Sequence, residues 1–200
     1  MKIVLASGNP GKAREVRAAL EGVEVELLLP AEAGFEFDVE ETGSTYAENA
    51  LIKARAACEA SGLPALADDS GVEVYALPGE LGVRSARFGG EGLDDSGRNA
   101  LLVDRMREVP EADRGARYVC VLAYAKPDGW FGFFEGALHG RILRAPQGED
   151  GFGYDPLMYL PDHGCAVSEL PLGVKNRISH RGLALAEFRA WLARETADGA

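Results

Sequence analysis

The feature that most restricts the fold is a pair of apolar runs, Tyr118 to Tyr124 and Trp130 to Phe134, separated by Pro127-Asp128-Gly129. Aromatic and aliphatic runs on either side of such a turn predict a hairpin, and a hairpin demands antiparallel pairing. The opening of the chain reads differently. Ile3 to Ala6 reads as a short buried strand, Gly11 to Leu20 as a helix, Val23, Val25 and Leu27 as an alternating strand, and Ala47 to Ala60 as a longer amphipathic helix. A β-α-β-α opening followed by a hairpin predicts an α/β fold with a mixed sheet rather than a purely parallel one.

The Ala47 to Ala60 helix is the best specified locally. Thr45 with Glu48 makes a capping box, and Ala47, Ala50, Leu51, Ala54, Ala57 and Cys58 form one apolar stripe. Gly62-Leu63-Pro64 stops the helix, and Asn49 and Lys53 share another face. Leu63 to Ala67 predicts a strand ending in a turn at Asp68-Asp69-Ser70-Gly71, with Val72 and Val74 extended beyond it. Asn99 to Met106 predicts a helix, as does the stretch from about Arg181 to Arg194, with Leu185, Phe188 and Leu192 inward. The tail from Thr196 to Ala200 is expected to fray. With no repeat and no linker, residues 1–200 are expected to form a single domain.

At 200 residues, 46% hydrophobic and 26% charged, the chain can bury one sizeable core. Its formal net charge of −11 argues against a nucleic-acid coat or an anionic membrane surface as partner. An anionic ligand would therefore need locally gathered cations or a metal. Cys58, Cys120 and Cys165 are odd in number and lack zinc-ligand spacing, so neither a disulfide framework nor a structural zinc is expected, and a reducing cytoplasm fits. No apolar stretch approaches a signal-peptide core or a membrane span.

Four segments carry chemistry. Ser7-Gly8-Asn9-Pro10-Gly11-Lys12 joins the first strand to the first helix, with Asn9 suited to the N-cap and Pro10 to the first turn. It is either an ordinary strand-to-helix turn or a phosphate cradle of backbone N–H groups with Lys12 as a mobile charge. Asp68-Asp69 after an apolar strand suits a hard cation and a positioned water, or else an exposed Asx-turn, and Glu41 stands ready to add a ligand or merely to complement a helix dipole. Phe152-Gly153-Tyr154-Asp155 has the composition of a base-stacking pocket and equally of a tight turn on a core. Lys175, Arg177, His180 and Arg181 gather cations at the start of the last helix, where they oppose the dipole unless an electron-rich partner is present.

Taken in order, Ser7-Gly8-Asn9 with Lys12, Glu41-Thr42-Gly43 with Glu48-Asn49 and Lys53, Ala67-Asp68-Asp69-Ser70-Gly71, Ser85-Ala86-Arg87, Phe152-Gly153-Tyr154-Asp155-Pro156 and Ser179-His180-Arg181-Gly182 resemble the inosine triphosphate pyrophosphatase family. The resemblance spans the chain from Ile3 to the last helix. It implies an elongated, two-lobed fold around a mixed, strongly twisted sheet flanked by helices, with the active site in a cleft between lobes, usually as a homodimer. It implies hydrolysis of inosine, deoxyinosine and xanthosine triphosphates to monophosphate and pyrophosphate with Mg2+. Carried over, Ser7, Gly8, Asn9, Pro10, Gly11, Lys12 and Lys53 contact phosphates, Glu41 and Asp69 bind the metal, and Asp69 is the usual general base. Ser70, Phe152, Gly153, Tyr154, Asp155, Lys175, His180 and Arg181 complete the nucleotide site, with Arg181 aimed at the purine 6-position. The residue types alone leave open which of Asp68 and Asp69 is ligand and which is base. They also leave open a nucleotide sensor without turnover and a pyrophosphatase for other modified nucleotides.

Overall fold

The computed structural model describes residues 1–90 and 92–198. Its elements are β1 (Lys2–Leu5), α1 (Pro10–Ala19), β2 (Glu26–Leu28), α2 (Tyr46–Ser61), β3 (Ala65–Val74), α3 (Asp95–Arg105), β4 (Gly115–Ala125), β5 (Phe131–Ile142), β6 (Met158–Leu160), β7 (Cys165–Ala166), α4 (Leu172–Ile178) and α5 (His180–Asp198). One seven-stranded sheet runs in the order β2-β1-β3-β4-β5-β6-β7. β1 is parallel to β2 and β3, whereas β6 is antiparallel to both β5 and β7, so the sheet is mixed as the sequence predicts. The hairpin forms too: Lys126 N donates to Trp130 O at 2.8 Å, and Asp128 Oδ1 accepts from Trp130 N at 2.9 Å.

The chain divides into two compact units. The first comprises Met1–Ser70, Cys120–Gly136 and the chain from His180 onward. Its strands bury both faces, and alternation along β1 and β3 decides which side chain goes where. Ile3, Leu5, Leu66, Cys120 and Leu122 pack against Val16 of α1, its C-cap Leu20, and Leu185, Phe188 and Leu192 of α5. Val4, Ala65, Ala67 and Ala123 pack instead against Ala50, Ala54, Ala57 and Cys58, the stripe predicted for α2. Each fully buried Leu or Phe contributes roughly 1.5–3 kcal/mol. The ends of α2 follow the sequence closely: Thr45 and Glu48 form both halves of the capping box, and Gly62 closes the helix in the left-handed conformation.

The second unit comprises Gly71–Val119 and Ala137–Ser179. Val72, Leu102, Met106, Ala116, Ile142 and Met158 belong to its core. Arg114 is 1% exposed there, and its guanidinium donates to the carbonyls of Ile142 at 2.8 Å, Met106 at 2.6 Å and Leu143 at 2.9 Å. Met106 is the C-cap of α3, so the cation also meets the negative end of that helix.

Several expectations need correction. β3 runs without a break through Asp68-Asp69-Ser70-Gly71, where a turn was expected, because the strand lies between β1 and β4 and its acids find partners on helices rather than in a local Asx-turn. β2 is confined to Glu26–Leu28, since Val23 and Val25 belong to the preceding turn. α3 begins at Asp95, capped by Asp94 accepting from Gly97 N at 2.7 Å. α4 was not foreseen. α5 continues to Asp198 past the expected fraying point, and Gly199 and Ala200 lie outside the described residues.

Candidate active site

Period-two alternation separates the two acids of β3. In the first unit Asp68 follows Leu66 onto the face of α1 and α5, while Asp69 follows Ala67 onto the face of α2. Asp68 is 1% exposed and takes the ammonium of Lys12 at 2.9 Å. The Arg181 guanidinium donates to the same oxygen through Nε at 3.2 Å and Nη2 at 3.0 Å, to Ser70 Oγ at 3.1 Å, and to Glu15, which lies buried on α1. Burial alone would raise the Asp68 pKa. The charges of Lys12, Arg181 and Lys53 outweigh it and hold the carboxyl well below the usual carboxylate range. Arg181 shows the mirror effect: burial opposes its charge, yet Asp68 and Glu15 keep it raised above an ordinary arginine.

Asp69 sits in the opposite situation. Asn49 Nδ2 donates to its Oδ2 at 3.1 Å, Ser70 N donates to its Oδ1 at 3.0 Å, and the Lys53 ammonium lies 3.8 Å from that second oxygen. Burial raises the Asp69 pKa, and the neighbouring charge of Glu41 adds to this, more than Lys53 and Asn49 lower it. Two sequence-adjacent carboxyls are thus driven apart, Asp68 downward by its cations and Asp69 upward by burial.

Lys53 donates to Glu41 at 2.5 Å while facing Asp69, so two carboxylates from separate segments converge on one cation. Among the described residues no group of three or more His, Cys, Asp or Glu side chains is placed to hold a metal. A pair suffices for Mg2+, which characteristically takes one or two carboxylates and fills its octahedron with waters and substrate phosphates. The donors fit.

Asn9 caps α1 as predicted and Pro10 occupies the first turn, but the amides expected to cradle an anion are partly used. Asn9 Oδ1 accepts from Gly11 N at 2.8 Å and Lys12 N at 3.2 Å, and Ser7 Oγ accepts from Asn9 N at 3.2 Å. Gly8 is exposed beside them. Lys12 is what this segment aims into the acid set.

The second unit builds its own constellation around Asp155, which is 4% exposed. Asp155 accepts from Phe152 N at 3.0 Å, from the Tyr118 hydroxyl at 3.2 Å and from the Lys175 ammonium at 2.8 Å. Lys175 reaches it from α4 and stands 4.5 Å from the Phe152 ring centroid. Burial, with the Asp155 charge beside it, pushes the Tyr118 phenol well above its ordinary value, so it remains a donor. Gly153 is fixed by Asp95 at its N–H (2.7 Å) and Asn99 at its carbonyl (3.0 Å), and Tyr154 donates to Ser85 O at 2.7 Å. The segment is therefore a rigid loop presenting one ring and one charged pair.

His180 is buried at the start of α5, and Arg177 is exposed. The four cations do not share a helix start: Lys175 and Arg177 lie in the last turn of α4, where the dipole favours them, and only His180 and Arg181 open α5, where Arg181 meets the carboxylates of Glu15 and Asp68. Glu15 and Tyr118 were missed from sequence, and Asn49 was placed on the face of Lys53 without a role. Asn49 and Glu15 carried one signal each, an i, i+4 relation to Lys53 and an i, i+3 relation to Lys12. A separate cavity of about 490 Å3, lined by Arg55, Glu59, Lys126 and Trp130 among others, includes none of these residues.

A mixed α/β sheet in which one interior strand carries two buried carboxyls on opposite faces, each met by a lysine, has the marks of a phosphate hydrolase. Residues 3–191 match the Ham1 family, and the chain belongs to it. It is 52% identical over 185 residues to a dITP/XTP pyrophosphatase of Thermus thermophilus, covering 92% of this chain and 88% of that one. It is 47% identical to a dITP/XTP pyrophosphatase of Geobacter sulfurreducens, covering 92% and 93%. A HAM1 protein from Coxiella burnetii superposes with a TM-score of 0.89 at 40% identity, covering 97% of this chain and 99% of that one.

Proposed function

We propose that this chain hydrolyses non-canonical purine nucleoside triphosphates, those of inosine, deoxyinosine and xanthosine, to the monophosphate and pyrophosphate. The reading rests above all on one observation, the convergence of Glu41 and the buried Asp69 carboxyl on Lys53, in a chain whose relatives bear the name dITP/XTP pyrophosphatase. Water attacks the α-phosphorus, its proton goes to Asp69, and the bond to the β-phosphate bridging oxygen breaks to release pyrophosphate. Lys12 and Lys53 neutralise phosphate oxygens, with Ser7 to Gly11 shaping the approach. Glu41 and Asp69 would hold Mg2+, which supplies further neutralisation of the phosphate charge when bound. Asp68 binds neither water nor metal in this scheme; it anchors Lys12 and Arg181.

For the base, Phe152 provides a stacking face and Asp155 fixes Lys175 beside it. Lys175 and Arg181 are the two donors suited to a 6-oxo group and repelled by the adenine 6-amino group. Arg181 is shared with Glu15, Asp68 and Ser70, so Lys175 is the better placed by its own contacts. The three cysteines are free, which suits a reducing cytoplasm, and the homodimer implied by the resemblance belongs to the same proposal. The deciding experiment follows Mg2+-dependent release of pyrophosphate and orthophosphate from inosine, xanthosine, guanosine and adenosine triphosphates by wild type and Asp69→Asn. Pyrophosphate from the inosine and xanthosine substrates alone, abolished by the substitution, is expected. Absence of turnover with all four would favour a nucleotide sensor.

A further inference from the structure

The segment carrying Glu41 reaches α2 through three consecutive amides. Ser44 N and Thr45 N donate to Glu48 at 2.7 and 3.1 Å, and Gly43 N donates to Asn49 Oδ1 at 2.8 Å. The other end of the same Asn49 amide donates to Asp69 Oδ2 at 3.1 Å. Asn49 is 0% exposed, and its orientation is unambiguous, because a carboxylate requires the NH2 end and a backbone N–H requires the oxygen. One neutral side chain therefore spans the two segments that bear Glu41 and Asp69. By occupying Oδ2 it leaves Asp69 Oδ1 on the side of Lys53, where Glu41 converges.

Lys53 bridges the same two carboxylates, but its charge excludes it from serving as the permanent tie. A divalent cation taken up by Glu41 and Asp69 repels an ammonium at 2.5 and 3.8 Å from their oxygens, whereas a neutral amide remains compatible with it. We propose that Asn49 is a positioning residue that holds the Glu41 segment and Asp69 at metal-binding separation. This rests on the metal-dependent reading given above. Gly43 completes the device: a β-carbon there would lie 2.6 Å from Asn49 Oδ1 and 2.7 Å from Glu48 Cβ, so any larger residue displaces the amide.

The test titrates Mn2+ against metal-stripped protein in the presence of an inosine triphosphate analogue with a non-hydrolysable α,β link, free Mn2+ being read by paramagnetic resonance. Asn49→Ala is expected to weaken Mn2+ binding by about 10–100-fold, the range for losing a group that orients metal ligands. Raising Mg2+ should recover turnover, whereas analogue affinity without metal should stay close to wild type. Gly43→Ala changes no residue of α2 and disturbs the same tie from the other side, pressing on Asn49 Oδ1 and on the first turn of α2, so with helix content checked by circular dichroism it should reproduce the weakened Mn2+ binding even where Asn49→Ala folds poorly. Mn2+ affinity within twofold of wild type in the folded variants overturns the proposal while leaving the hydrolase reading in place. A wild type indifferent to divalent cations removes both.

Discussion

Asp68→Asn and Asp69→Asn are adjacent, isosteric substitutions that should move stability in opposite directions. Asp68 is 1% exposed against Lys12 at 2.9 Å and Arg181 at 3.0 Å. Removing one partner of a buried ion pair costs about 3–5 kcal/mol. The Lys12 side chain is 18% exposed and Arg181 keeps Glu15, so the lower end, about 3 kcal/mol at pH 7, is expected. For a chain of this size that is a fall of about 6–12 °C in Tm. Asp69 behaves in reverse. Its folded-state pKa is raised, so above the unfolded value of about 3.9 its ionisation works against folding, and Asp69→Asn should leave stability unchanged or higher while abolishing turnover. The depressed Asp68 carboxyl contributes stability that is complete above about pH 4 and lost as pH falls below it, so the gap between wild type and Asp68→Asn should narrow there. Urea unfolding followed by the fluorescence of Trp130 and Trp191, at pH 7, 5, 4 and 3, measures all of this. A cost below 1 kcal/mol for Asp68→Asn, or an equal cost for both variants, would refute the reasoning.

Lys175→Met removes the ammonium between Asp155 and the Phe152 ring, and steady-state kinetics should show KM for inosine triphosphate raised tenfold or more with a smaller change in kcat. Arg114→Met removes the guanidinium from the carbonyls of Ile142, Leu143 and Met106, the last of which keeps the Val109 amide as donor, and a loss of about 3 kcal/mol is expected in chemical unfolding, with substrate KM little altered in the protein that folds.

What was legible in the sequence was what neighbours in the chain decide together. The capping box of Thr45 and Glu48, the stop at Gly62 and the turn at Asp128-Gly129 each lie within a few residues of the structure they specify. β3 was misread at Asp68-Asp69-Ser70-Gly71 because those residue types serve turns when only local partners are available. Here the partners are Lys12, Asn49, Lys53 and Arg181, up to 113 residues away, and their charges and amide make a buried polar strand tolerable. The same distance hid Glu15 from Arg181, Tyr118 from Asp155 and Arg114 from the carbonyls it gathers. The division of labour between Asp68 and Asp69 was hidden by the same misreading of β3, since adjacent acids in a turn need not part company whereas in a strand they face opposite helices.

That division has a consequence for how such a chain can vary. Because Asp68 and Asp69 look toward separate helices, an uncharged substitution packed around Glu15 and Arg181 does not touch the side occupied by Asn49, Lys53 and Glu41, although the charges of Lys12 and Lys53 are felt across the strand. An inserted or deleted residue early in β3 is another matter. It would turn every later side chain of the strand to the wrong face, exchanging the anchor for the base in a single step. The strand tolerates drift in its letters and none in its frame.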